Sequence, residues 1–198
     1  LNAPFLLLLG SAGGPAVWIA LTVSAFAVVA YSVPVLRFKE RPFLDSITSS
    51  THFVSPAVVG LLLAGTGVGG GFDWTLALPL SAFFLWGMAA HAFGAIQDIV
   101  PDREAGIRSI ATVIGARSTV RLALLLWAAA GAIMLFTRWP GPLAAIIAVP
   151  YLLNASPFWS VTDEGSARTN RAWRRFIALN YLSGFLVTLL LIIEWNQS

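Results

Sequence analysis

His91-Ala-Phe-Gly-Ala-Ile-Gln97-Asp98-Ile-Val-Pro101-Asp102-Arg103-Glu-Ala-Gly106-Ile-Arg108-Ser-Ile-Ala-Thr-Val-Ile-Gly115 is the stretch from which both the fold and the chemistry of this chain are read. It opens as the end of an apolar segment and turns abruptly acidic. Asp98 and Asp102 stand at i and i+4, so on a helix both carboxylates project from one face, with β-carbons about 5–6 Å apart. Two like charges so placed repel unless a cation sits between them. The hard cation that carboxylates hold while leaving room for phosphate oxygens is Mg²⁺, and Arg103 and Arg108 beside them suit phosphate. The expectation is a metal–diphosphate site at a membrane surface. On spacing alone, a solvated loop past a membrane helix stays open as the simpler account.

Working outward, 58% of the 198 residues are hydrophobic and only 11% charged. A soluble domain averages about 45–50% apolar and about 25% charged residues, so the chain reads as an integral membrane protein. It begins with Leu1 rather than Met and shows no leader pattern, which is read as a piece lacking its N-terminal part. Without Cys there is no disulfide and no thiolate chemistry, and the pair His52 and His91 is too few for a histidine zinc site.

A spanning helix needs about 20 mostly apolar residues. On that rule Leu1–Leu9 is too short to cross, Gly10–Pro15 is a turn, and full spans are expected at Ala16–Val33, Ile47–Leu63, Trp74–Gln97, Val120–Phe136, Leu143–Phe158 and Phe176–Ile193. Gly65–Asp73 is a Gly-rich connection, and Ser160–Arg175 a polar one. Successive loops then alternate sides. Arg37, Lys39 and Arg41 fall on one side with Arg103, Arg108, Arg117 and Arg121 and with Arg168, Arg171, Arg174 and Arg175, while only Arg138 falls on the other. The positive-inside rule puts the basic loops in the cytoplasm, the multi-pass chain in the cell membrane, and both ends of this piece outside. Topology accounts for the net charge of +3, so nucleic acid is not expected as a partner.

In the first basic loop, Arg37 and Lys39 are placed to reach a diphosphate, with Tyr31 donating a hydrogen bond; snorkelling to lipid headgroups is the alternative. Asp45, Ser49 and His52, at i, i+4 and i+7, share one helical face. A polar stripe entering a membrane is costly unless it meets protein or a wet cavity, and helix–helix hydrogen bonding by Ser49 and Ser50 is the plain alternative. His91 precedes Asp98 by nearly two turns, so it lines a pocket below the metal or packs as a hydrogen-bonded histidine. Pro101 removes the backbone bond to the Gln97 carbonyl, which offers that oxygen or the Gln97 side chain to the metal shell. Gly106 is a helix stop, Glu104 is solvated, and the Trp residues lie largely near span ends, as membrane-interface aromatics do, and need no cofactor.

Asp98-x-x-x-Asp102-x-x-x-Gly106, followed by Ile107-Arg108-Ser109-Ile110-Ala111 and Gly115, resembles the second aspartate motif of the UbiA-type intramembrane prenyltransferases. Tyr31-Ser32 with Pro34, Leu36, Arg37 and Lys39 is similar to that family's basic loop between helices four and five. The resemblance implies an all-α polytopic membrane bundle, in which these six spans are part of nine, and a single prenyltransferase domain over residues 1–198. The family's first aspartate-rich motif is absent here, so the resemblance implies a piece holding half of the metal site and inactive alone. Phe38 to Phe53 with Gly94-Ala95-Ile96-Gln97-Asp98 looks most like the lycopene elongase type.

That likeness implies transfer of a prenyl group, dimethylallyl, from its diphosphate to a lipophilic acceptor, lycopene, in the making of fifty-carbon carotenoids. Asp98 and Asp102 would hold Mg²⁺; Arg37, Lys39, Arg103 and Arg108 would contact diphosphate; Tyr31 would assist ionisation. Asp45, Ser49, His52, His91 and Gln97 would line the prenyl or acceptor cavity. A quinone precursor or another aromatic is the rival acceptor, and a transporter or non-catalytic scaffold the rival of another class.

Overall fold

In hydrocarbon every backbone N–H and C=O must be paired within its own segment, so long apolar runs have to be helices. The computed structural model describes residues 3–65 and 74–197, and among them there is no strand. The Gly-rich connection expected at Gly65–Asp73 lies outside the described residues beyond Gly65. Eight α-helices follow in order: α1 Ala3–Ala12, α2 Pro15–Ser32, α3 Leu44–Leu63, α4 Ala77–Ala95, α5 Ile99–Glu104, α6 Ile110–Met134, α7 Ala148–Ala155 and α8 Asn170–Trp195.

With the 3₁₀ turns that extend them, these helices give six segments long and apolar enough to cross a membrane: Pro15–Ser32, Leu44–Leu63, Ala77–Glu104, Ile110–Met134, Gly141–Phe158 and Ser166–Trp195. All six expected spans are present, and the protein is a multi-pass helical membrane protein. Boundaries shift where local chemistry outweighs hydropathy. Gly10 is helical inside α1, and the turn shrinks to Gly13 and Gly14 before Pro15, which opens α2 with its ring in the first turn, where no backbone donor is needed. The fifth span is 3₁₀ over Gly141–Ile147, α over Ala148–Ala155 and 3₁₀ again over Ser156–Phe158, a run broken by Pro142, Pro150 and Pro157. The last helix begins at Asn170, inside the expected polar connection.

Each span packs mainly on its neighbour in sequence: α2 on α3, α3 on α4, α4 on α6, α6 on α7 and α7 on α8. Small residues allow the closest approaches, as membrane helix pairs require. Ser50 donates its hydroxyl from α3 to the Phe84 carbonyl of α4, and a β-carbon at Gly87 would lie 2.6 Å from that hydroxyl oxygen. Ser55 of α3 likewise donates to Ser24 of α2 at 2.9 Å. The helix–helix hydrogen bonding that stood as the plain alternative for Ser49 and Ser50 is the bond Ser50 makes.

The expectation that the tryptophans lie largely near span ends has exceptions inside the bundle. Trp127 is fully buried in the middle of α6, where it stacks on Tyr151 with ring centroids 5.6 Å apart. Trp86 of α4 and Trp173 of α8 close the same cluster around Phe176, at 5.8 and 4.8 Å. Aromatic pairs at these separations add about 0.5–1.5 kcal/mol each beyond area burial. The pairing is useful in a bilayer, where burial by itself drives little helix association.

Candidate active site

Span four does not run on as one α-helix into the acidic stretch. After Ala95 the chain tightens into a 3₁₀ turn over Ile96–Asp98, then resumes as the short helix α5, with Asp98 at its N-cap. Ile96 and Ile99 are fully buried and pin this turn to the core, which leaves Asp98 exposed and Asp102 half-buried on the outer side. The two carboxylates are near enough to interact electrostatically, so the pair inferred from the i, i+4 spacing is brought together despite the break.

α5 ends as the sequence requires. Gly106 adopts φ +72, its N–H donates to the Arg103 carbonyl at 3.2 Å, and the Ile107 N–H donates to the Asp102 carbonyl at 2.8 Å. This is the two-bond Schellman closure of a helix C-terminus. α6 then starts on a reciprocal cap: the Thr112 N–H donates to the Ser109 hydroxyl at 3.3 Å, and the Ser109 N–H donates to Thr112 Oγ1 at 2.8 Å. The connection carrying the acidic pair is thus fixed at both ends.

Arg103, expected to face a diphosphate, is occupied elsewhere. Its Nε and Nη2 donate to the Thr112 carbonyl at 3.1 and 2.7 Å, and its Nη1 donates to Asp163 Oδ2 at 2.6 Å. The other Asp163 oxygen accepts the Ala116 N–H at 2.7 Å, just after Gly115 breaks α6 with φ 79 and ψ 162. That N–H would otherwise be an orphan at the start of the second half of α6. These bonds, the Ala116 N–H first and Arg103 after it, hold the Asp163 carboxyl below its ordinary range. Arg103 is therefore a structural clamp.

Asp45 also departs from expectation. It is fully buried in the first turn of α3, where both its oxygens are engaged: they accept the Ser46 N–H and the Ile110 N–H, both at 2.8 Å. Sinking a carboxylate costs several kcal/mol. Charge-assisted hydrogen bonds return about 1.5–3 kcal/mol each, and the N-terminal ends of α3 and α6 both favour negative charge here. His91 approaches from α4 with Nδ1 3.2 Å from the Ser46 hydroxyl, and it interacts electrostatically with Asp45. Of the two accounts given for His91, the hydrogen-bonded packing histidine matches this position; the 3₁₀ turn at Ile96–Asp98 breaks the helical phase that would have set it below Asp98.

The remaining residues separate into groups. Tyr31 meets His52 edge to face with ring centroids 5.3 Å apart, and His52 Nε2 is sealed from solvent with no hydrogen-bond partner among the described residues. Pro56 lacks the N–H that would bond the His52 carbonyl, so this level of α3 has unspent polar capacity facing Tyr31. Ser49 is half-buried on the same helix. Gln97 uses its side-chain oxygen to accept from the Asn170 amide of α8. Arg37, at φ 41, pairs with Glu40, while Lys39 and Arg108 are exposed with no ion pair among the described residues.

No three His, Asp or Glu side chains converge among the described residues. The acidic turn therefore does not fit a closed metal cage. A carboxylate pair open to water does fit Mg²⁺, which keeps several waters and takes the rest of its shell from substrate phosphate.

The family model for UbiA prenyltransferases matches residues 1–187. The chain belongs to the UbiA prenyltransferase family. Among curated relatives it is 47% identical over 191 residues to a lycopene elongase/hydratase of Corynebacterium glutamicum, covering 96% of this chain and 64% of that one. It is 49% identical over 188 residues to a C(50) beta-cyclic carotenoids biosynthesis protein of Dietzia, covering 94% and 43%. A lycopene elongase/hydratase of Haloarcula japonica is 36% identical over 154 residues, covering 72% and 47%. The chain thus spans less than two thirds of the length of these relatives. No solved structure matches it.

Asp163, Thr112 and Asn170 were not singled out from the sequence. Only Asp163 carried a signal, as one of two adjacent acids, with Glu164, at the head of a basic connection.

Proposed function

We propose that this chain is part of a single membrane-embedded prenyltransferase domain that transfers a dimethylallyl group from its diphosphate to lycopene. The observation that carries this reading is the Asp98–Asp102 pair, held at the end of a membrane span on a turn closed at both ends. The names of the Corynebacterium and Dietzia relatives support the acceptor.

In this reading the two carboxylates hold Mg²⁺ at the cytoplasmic face of the cell membrane, and the ion, when bound, offsets charge on the departing diphosphate. Lys39, Arg108 and Arg37 supply cationic contacts to the same group. The allylic C–O bond breaks and diphosphate leaves with the electron pair. A terminal double bond of the acceptor attacks the allyl cation, a C–C bond forms, and the resulting cation loses a proton or captures water. Tyr31 and His52 stand below the basic loop, where unspent polar capacity suits a cavity wall. The surrounding apolar helices keep stray water from the cation.

The test is prenyl transfer by the full-length protein with Asp98→Ala and Asp102→Ala, alongside pigment extracts from cells with and without the intact gene. Full activity in both variants rejects the site. Unchanged carotenoids with altered quinones reject the acceptor.

A further inference from the structure

The Ser160–Arg175 connection, whose arginines the sequence assigns to topology, does more than carry charge. Phe158, Ala167, Arg168, Asn170, Arg171 and Arg174 line an open hollow of about 560 Å³, a size within the range of small-molecule sites, about 300–1,000 Å³. Arg171 and Arg174 lie in the first turns of α8, where the helix dipole is already positive and basic side chains are unfavourable. Among the described residues none of the three arginines has an ion pair. Of the acids on the same connection, Asp163 is taken by Arg103 and the Ala116 N–H, and Glu164 is exposed. In the adjoining 3₁₀ turn the Ser166 hydroxyl is buried with no partner among the described residues.

Three guanidiniums around a hollow with an apolar wall call for an anion attached to something greasy. Arg121 lies 4.7 Å over the Trp159 ring next to Phe158, a cation–π contact, and the apolar span that follows has only 6% of its most apolar 18-residue stretch buried within this chain. Arginine's planar fork recognises phosphoryl oxygens. We propose that this hollow binds the phosphoryl head of a lipid-chain molecule. Asn170, which lines it, donates to Gln97 one residue before Asp98, so occupancy bears on the acidic turn. The head could come from an anionic phospholipid of the bilayer or from an isoprenoid diphosphate; the phosphoryl chemistry is shared.

The experiment is native mass spectrometry of the full-length protein titrated with phosphatidylglycerol and with phosphatidylcholine, with inorganic diphosphate as competitor. Wild type should retain one phosphatidylglycerol at least tenfold more tightly than phosphatidylcholine. The triple variant Arg168→Gln, Arg171→Gln, Arg174→Gln should lose that preference, and Arg138→Gln on the opposite side should keep it. Displacement by diphosphate assigns the site to a diphosphate head, and resistance to it assigns the site to a bilayer lipid. Equal retention of the two lipids by wild type, or an undiminished preference in the triple variant, overturns the proposal. If the triple variant does not fold, wild-type selectivity at 50 and 500 mM NaCl decides: a bound head requires it to fall with salt, and absent selectivity at both overturns the proposal. The readout needs no catalysis, so its failure is separate from failure of the transfer assay.

Discussion

Arg103 Nη1 stands 2.6 Å from Asp163 Oδ2, and through this pair the turn bearing the acidic residues is tied to a connection 60 residues further along the chain. The same carboxylate caps the α6 break through Ala116. Asp163→Asn should therefore loosen both, lowering the thermal unfolding midpoint of the detergent-solubilised protein. Because the folded carboxyl is held below its unfolded value, its contribution is fully present above about pH 4 and is lost as pH falls through the folded value. The side chain is 29% exposed, so solvent screening limits this to about 1 kcal/mol or less. Unfolding midpoints from pH 6 to 3 should converge between wild type and Asp163→Asn at the acid end, and a constant gap would refute the assignment.

Loss of either carboxylate in the acidic pair should be felt in turnover more than in stability. Asp98→Ala and Asp102→Ala should each lower prenyl transfer by at least about a hundredfold, the scale of removing one group that stabilises developing charge. Mg²⁺ titration of the residual rate should shift to higher concentration, with the unfolding midpoint unchanged or raised, since a like-charge repulsion is removed.

Gly106 and Gly115 separate two kinds of glycine requirement. Both have positive φ, but a β-carbon at Gly106 meets nothing within 4 Å, whereas at Gly115 it would lie 3.2 Å from Asp163 Oδ1. Gly106→Ala should cost about 1–2 kcal/mol, the left-handed penalty alone. Gly115→Ala should cost more, because it also presses on the Asp163 cap. Equal losses in chemical unfolding would contradict the role given to Asp163.

Asp45→Ala leaves the Ile110 and Ser46 N–H groups buried without acceptors, at about 1–3 kcal/mol each. Asp45→Asn keeps one acceptor and should recover part of the loss. Hydrogen exchange at Ile110 is the direct check: protection should fall in Asp45→Ala and be intermediate in Asp45→Asn.

The spans, the acidic pair and the Gly106 stop were legible in the sequence because each rests on local rules: apolar length, i, i+4 spacing, and the conformational freedom of glycine. What was illegible depends on distant partners. Nothing near Asp45 announces Ile110, and nothing near Arg103 announces Asp163, so a buried cap was read as a cavity wall and a clamp as a phosphate ligand. Trp127 was misplaced for a related reason. In a chain this apolar, hydropathy does not distinguish a side chain facing lipid from one facing Tyr151.

The Asp45–Ile110 bond also says something about biogenesis. These partners are 65 residues apart, and α4 lies between them, so a chain entering the bilayer from its N-terminal side delivers the Asp45 carboxylate before its Ile110 donor exists. A bare carboxylate is expensive at membrane depth. The head of α3 therefore has reason to linger at the water boundary until the start of α6 is synthesised, which sets the docking of these two helix ends after α4 has been made.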